Sequence, residues 1–144
     1  MEKHFEVLER IHRELSRVIR GKEGFLDLFL TGFLAQGHLL IEDLPGLGKT
    51  TAAKALSRLI GSDDPRPTLF RRIQFTPDLL PYDITGVDVF HPDRRQFEFQ
   101  PGPVFAHIVL ADEINRATPK VQSAMLEVMA EQQVTIGNRT YEMD

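Results

Sequence analysis

A chain of 144 residues, 42% apolar and 26% charged, has the length and balance of one globular domain able to bury a core. It holds no cysteine, which excludes disulfides, thiolate metal sites and cysteine nucleophiles and fits a reducing cytoplasm. A formal net charge of −4 gives no global pull toward nucleic acid or an anionic membrane. No run approaches the roughly 18 uninterrupted apolar residues of a membrane span. The opening Met1–Glu6 is mixed in charge and unlike a signal peptide, so a cytoplasmic protein without membrane insertion is expected.

Phe5, Leu8, Ile11, Leu15 and Val18 recur at helical spacing between charged residues, with Gly21 where a C-terminal cap belongs. Phe25 to Ala35 reads as a second, more buried helix ending at Gln36-Gly37. His38-Leu39-Leu40-Ile41 is short and apolar and runs into a glycine loop, which predicts a buried strand. Thr50 to Ile60 has the alanine-rich composition of a helix closed by Gly61, and Ser62 to Pro67 forms a loop.

Leu69 to Phe75 predicts a second strand, interrupted by Thr76 to Pro81. Val87 to Phe90 and Gln96 to Phe99 alternate around His91-Pro92-Asp93-Arg94-Arg95, a hairpin pattern in which Phe90, Phe97 and Phe99 share one packed face. If that face projects, it becomes a candidate contact for a substrate or partner. His107 to Ala111 is a buried strand ending in Asp112-Glu113. Thr118 can cap and Pro119 open a helix to about Glu131. Val134 to Ile136 and Arg139 to Tyr141 flank Gly137-Asn138, a tight-turn signal for a second hairpin. This alternation is that of an α/β fold with a parallel sheet, whose ligands sit at the carboxyl ends of the strands.

Two features carry chemistry. In Asp43-Leu44-Pro45-Gly46-Leu47-Gly48-Lys49-Thr50, the glycines let backbone N–H groups approach phosphate oxygens without a Cβ in the way. The helix that follows points its N-terminal partial positive charge at the same place. Lys49 supplies a mobile charge for the terminal phosphates and Thr50 a hydroxyl for magnesium. The candidate nucleotide-binding set is therefore Pro45, Gly46, Leu47, Gly48, Lys49, Thr50 and Thr51. Asp43 stands where the strict pattern has its first glycine, at the strand exit and off the phosphate path.

The second feature is Asp112-Glu113. Asp112 can accept hydrogen bonds from magnesium-bound water, and Glu113 can orient or deprotonate the attacking water. Asn115 and Arg116 read equally well as phosphate or subunit contacts and as a helix-start hydrogen bond and a surface charge. Arg71-Arg72 and Arg94-Arg95 lack interleaved aromatics, which favours surface or subunit contacts over nucleic acid. The five histidines are scattered, none paired at metal-ligand spacing.

At these residues the chain resembles the MoxR family of AAA+ ATPases. The likeness runs through His38 to Thr50, Gln74 to Pro81 with Asp83 to Gly86, Phe99 to Phe105, Leu110 to Ala117 and Pro119 to Glu127. It covers about Val18 to the end. The resemblance implies a three-layer P-loop fold, a truncated N-terminal part of the AAA+ core, with two β-hairpin inserts. It implies ATP and magnesium as cofactors, with catalytic roles for Lys49 and Glu113 and metal-holding roles for Thr50 and Asp112. Val18, Ile19 and Gly21 resemble the segment that borders the adenine base. A hexameric ring acting on a protein client, often with a von Willebrand factor A domain partner, is the assembly it implies. The hairpin at 87–100 is similar to the family's helix-2 insert, and the Gly137-Asn138 hairpin is expected near a central pore.

Family members continue with a sensor strand, an arginine finger and a helical lid, none of which this sequence contains. In the family's sheet the sensor strand lies between the strands that lead to Lys49 and Asp112. Without it the two are expected either to pair directly or to leave buried backbone groups unsatisfied. The expectation is an ATP-driven remodelling protein that is weakly active in this form, or a nucleotide-gated binding module that holds ATP without hydrolysing it. A GTPase is disfavoured, since Asn115-Arg116-Ala117-Thr118 supplies no base-reading Asn-Lys-x-Asp. A small-molecule kinase is disfavoured by Glu113, since a water-activating carboxylate there promotes wasteful hydrolysis. The mild acidity argues against a DNA-remodelling member.

Overall fold

The computed structural model describes residues 2–42, 49–60 and 69–143. The chain forms two compact units, residues 1–68 and 69–144. No helix among the described residues is long and apolar enough to cross a membrane.

The first unit is helical. α1 (Glu2–Val18) buries Leu15, half-buries Leu8 and Ile11, and leaves Phe5 and Val18 exposed, so the apolar stripe is covered only along its middle. The helix ends with Ile19 N–H on Leu15 O at 2.8 Å, and Gly21 takes φ +73° in the turn that follows. α2 (Glu23–Leu34) sinks Leu26, Phe29 and Leu30, but Leu28 and Leu34 stay exposed. It is the more buried of the two helices, as expected, with one apolar flank left open. The imidazole of His12 on α1 lies 3.0 Å from the Asp27 carboxylate on α2. α3 (Lys49–Ile60) turns Ala52, Ala53 and Leu56 inward, where small side chains let α1 pack close. Buried Ser57 donates to the Lys54 carbonyl at 2.9 Å, which satisfies its hydroxyl within the helix.

His38–Ile41 is not a strand. It joins no ladder among the described residues, and Leu40 is 79% exposed. A strand exists through its partner's hydrogen bonds, which the apolar run alone does not supply. The anticipated Gly61 closure and the Ser62–Pro67 loop lie outside the described residues.

The second unit is built on a parallel pair. β1 (Phe70–Gln74) runs beside β4 (Ile108–Asp112) in a register from Phe70↔Ile108 to Gln74↔Asp112. The ladder continues at both ends, through Ile108 N–H on Leu69 O and Phe75 N–H on Asp112 O, at 3.1 and 2.9 Å. Ile73 and Phe75 carry the pair into a core completed by Ile84, Val104, Val121, Met125 and Val134. α5 (Pro119–Glu131) supplies Val121 and Met125 to that core. Its limits match the expectation, although Thr118 at the N-cap makes no side-chain hydrogen bond.

One helix was not anticipated: α4 (Pro81–Thr85), between β1 and the first hairpin. Pro81 pre-sets its first turn, and the Asp83 carboxylate reaches back to accept from Leu80 N–H at 2.8 Å. Both signals stand in the sequence, but five residues are too few to show a helical period.

β2 (Gly86–His91) and β3 (Gln96–Pro101) form the first antiparallel hairpin, and β5 (Gln133–Ile136) and β6 (Arg139–Glu142) the second. Phe90 opposes Phe97, and Phe99 opposes Asp88, so the three phenylalanines share a face as expected. Only part of that face is covered. Phe99 stacks on Tyr141 of the second hairpin at 3.8 Å and meets Phe105 edge-on at 5.3 Å. Phe90 and Phe97 pack on each other at 5.1 Å yet stay 49% and 60% exposed. The Tyr141 hydroxyl also donates to Asp88 at 2.9 Å, so the two hairpins are joined by a ring stack and a hydrogen bond.

The backbone closes tightly where α4 enters the first hairpin. Gly86 has φ +98°, and a β-carbon there would stand 2.3 Å from Gln100 O. One on Gly102 would stand 2.3 Å from Ile84 O. Gly86→Ala and Gly102→Ala are each expected to destabilise the chain by about 2 kcal/mol or more in urea unfolding. Gly24→Ala, where nothing lies within 4 Å, should stay within about 0.5 kcal/mol. Tyr141→Phe should cost about 1 kcal/mol through the lost hydrogen bond, and Tyr141→Ala about 2–3 kcal/mol by also removing the stack.

Candidate functional site

Residues Pro45 to Gly48 of the glycine loop lie outside the described residues. The chain is described again from Lys49, which opens α3, so Thr50 and Thr51 stand in the first turn of a 12-residue helix. Thr50 is half-buried and Thr51 exposed. First-turn amides have no intrahelical acceptors, and with the helix dipole they favour an anion at this end. Of the residues expected at the base, Val18 is exposed at the end of α1, whereas Ile19 is buried. Gly21 occupies the positive-φ turn beyond them.

The acidic pair is built by β4 and its exit. Asp112 is the last residue of the strand, opposite Gln74 in the register. Its carboxylate is engaged: Oδ2 accepts from Arg72 Nη2 at 2.5 Å and from Arg72 Nε at 3.1 Å. Arg72 Nη2 also donates to Gln74 Oε1 at 2.9 Å. Arg72 and Gln74 stand two apart on β1 and share a face, so the guanidinium lies along the pair toward the tip of β4.

Glu113 has φ +57° and ψ +40°, a left-handed conformation uncommon for a residue with a side chain. It turns the chain sharply off β4 into a single 3₁₀ turn, Ile114–Arg116. Arg116 closes the turn twice, through its N–H on Glu113 O at 2.9 Å and through Nη1 on Glu113 Oε2 at 2.8 Å. The Asp78 carboxyl is held below its ordinary range, first by the Thr76 hydroxyl, next by its own backbone N–H, and also by the charge of Arg116.

Of the two readings open for Arg116, the structure adds a third, an ion pair with Glu113. Arg72 is exposed, as the sequence suggested, and from the surface it also holds Asp112. No local signal reveals that partner, because it depends on which strand lies beside β1 and in what register. A shallow groove of about 570 Å³ between the two hairpins, lined by Phe99, Pro101, Phe105, Thr140, Tyr141 and Glu142, contains none of the predicted site residues.

The donor chemistry suits magnesium. Thr50 and Asp112 offer hard oxygen atoms, and this ion keeps several waters while binding through one or two protein oxygens and phosphates. It does not require a protein cage. Among the described residues, no group of three or more histidine, cysteine, aspartate or glutamate side chains could hold a metal ion.

Comparison with known proteins identifies the family. The profile of the ATPase family associated with various cellular activities (AAA) matches residues 38–144. The uncharacterized protein YeaC of Bacillus subtilis is 47% identical over 137 residues, 95% of this chain and 41% of that protein. Chaperone MoxR1 of Mycobacterium tuberculosis is 47% identical over 136 residues, 94% of this chain and 34% of that protein. A solved structure from Cytophaga hutchinsonii, described as a candidate ATPase, superimposes with a TM-score of 0.76 at 41% identity. That match covers 96% of this chain and 40% of the other. The chain thus spans between a third and two fifths of the length of these relatives. The mixed α/β fold with a parallel strand pair, the acidic pair at its carboxyl end and the matched profile together show that the chain belongs to the AAA family of ATPases, with MoxR proteins among its relatives.

Proposed function

We propose that this chain binds ATP with magnesium and contributes to its hydrolysis, driving the remodelling or maturation of a protein partner. The observation that carries the reading is the acidic pair at the carboxyl end of β4, in a chain whose glycine loop opens α3. Backbone N–H groups of Gly46 to Lys49 cradle phosphate oxygens, and the Lys49 ammonium neutralises the terminal phosphates. Thr50 and Asp112 would hold the magnesium ion, which would supply neutralisation of the phosphate charge. Glu113 accepts a proton from the water aligned on the terminal phosphorus. Val18, Ile19 and Gly21 border the base, giving adenine over guanine.

By extension from the family, the chain is the N-terminal part of an AAA+ module, with sensor residues, arginine finger and lid supplied outside the sequence given. The same extension gives a hexameric ring in the cytoplasm acting on a client, with a von Willebrand factor A domain protein as a fitting partner. A second reading is favoured by one observation. Both carboxylates are paired with arginines, and if those pairs persist with nucleotide bound, the chain would hold ATP without turning it over.

Titration of ATP with magnesium, with GTP as competitor and phosphate release read in the same samples, tests both readings. Lys49→Ala is expected to weaken ATP binding at least about tenfold through loss of a charge-assisted phosphate contact. Unchanged binding in that variant would contradict the assignment. Glu113→Gln should keep ATP affinity within about twofold and lower the rate of phosphate release by about 10²–10⁴. Binding that depends on Lys49, with no phosphate release from the unaltered chain, would select the nucleotide-gated reading.

A further inference from the structure

The Arg72–Asp112 pair raises a question that the assigned roles leave open. Asp112 Oδ2, with guanidinium N–H groups at 2.5 and 3.1 Å, is not free to meet a divalent cation or its bound water, and the guanidinium charge beside it opposes a cation at the other oxygen as well. The guanidinium must move. The pair is open enough to allow that, with the side chain of Asp112 33% and that of Arg72 47% exposed. Gln74 is the anchor that keeps the guanidinium on station, since its side-chain oxygen takes the second interaction of Nη2.

Resting on the ATP–magnesium reading above, we infer that Arg72 is a positioning residue that occupies Asp112 while the metal is absent and is displaced when magnesium arrives with ATP. The pair holds the carboxylate at the tip of β4 and offsets its charge. Loading the metal then works against the guanidinium charge and, at Oδ2, against two hydrogen bonds, so Arg72 raises the magnesium concentration at which the site fills. An ordinary exposed ion pair is worth at most about 1 kcal/mol, which corresponds to a factor of about 5 in affinity. That bounds the effect. A purely structural pair would change unfolding and leave the metal dependence unmoved.

The test follows a fluorescent ATP analogue bound to the full chain, titrated with magnesium from an EDTA-treated start. Arg72→Gln is expected to lower the magnesium concentration for half-maximal enhancement of binding about three- to fivefold, with metal-free nucleotide affinity within about twofold of the parent. Arg72→Lys, which keeps the charge but loses the forked contact, should fall between the two. Gln74→Leu leaves the arginine in place without its anchor and should shift the midpoint in the same direction by less, which keeps the test decisive if Arg72→Gln fails to fold. A magnesium midpoint unchanged in the Arg72 and Gln74 variants, with nucleotide binding that still depends on Lys49, overturns this inference alone. Nucleotide binding insensitive to Lys49→Ala overturns the underlying ATP reading and this inference together.

Discussion

The parallel pairing of β1 with β4 is the constraint on which the rest of the second unit depends. It places Asp112 at the end of a hydrogen-bonded ladder and makes Glu113 the first residue to leave it. The register is held by burial. Successive strand residues face opposite ways, so a slip of one would turn Ile73 out of the core and move Arg72 to the face away from Asp112. Placement of the acidic pair is therefore a consequence of packing Ile73 and Phe75, not of any property of the acids themselves.

Both carboxylates end up beside arginines for different reasons. Arg72 reaches Asp112 across the ladder, whereas Arg116 meets Glu113 because a left-handed residue and a 3₁₀ turn fold the chain back within three positions. The first pair reports on the sheet and the second on the turn. The two hairpins add a separate mechanical link. Phe99 against Tyr141 and the tyrosine hydroxyl on Asp88 join the two hairpins through a ring stack and a hydrogen bond. The exposed Phe90–Phe97 pair lies on the same face of the first hairpin as that stack.

Much of this was legible in the sequence wherever a signal is local. The turn at Gly137-Asn138, the alternation about residues 91–95 and Pro119 at a helix start each fix their element through chemistry within a few residues. The limits of α5 follow from such signals. Partnership was not legible. His38–Ile41 has the composition of a buried strand and joins no ladder among the described residues, since composition does not name the neighbour a ladder needs. The Arg72–Asp112 pair was hidden for the same reason, spanning 40 positions. Asp112 and Glu113 could be singled out as chemistry-bearing from their place after an apolar run, but the groups that hold them could not. Whether the face of Phe90 and Phe97 packs or projects stayed open, since alternation marks a hairpin's faces without saying which is covered.

The central claim is that one nucleotide engages both the glycine loop and the end of β4. The most direct measurement is a titration of the ¹⁵N-labelled chain with ATP and magnesium, followed through backbone amide resonances. The account predicts that the amides of Gly46, Gly48 and Thr50 shift together with those of Asp112 and Glu113, along one saturation curve. Shifts confined to the loop, with Asp112 and Glu113 unmoved at saturation, would contradict it.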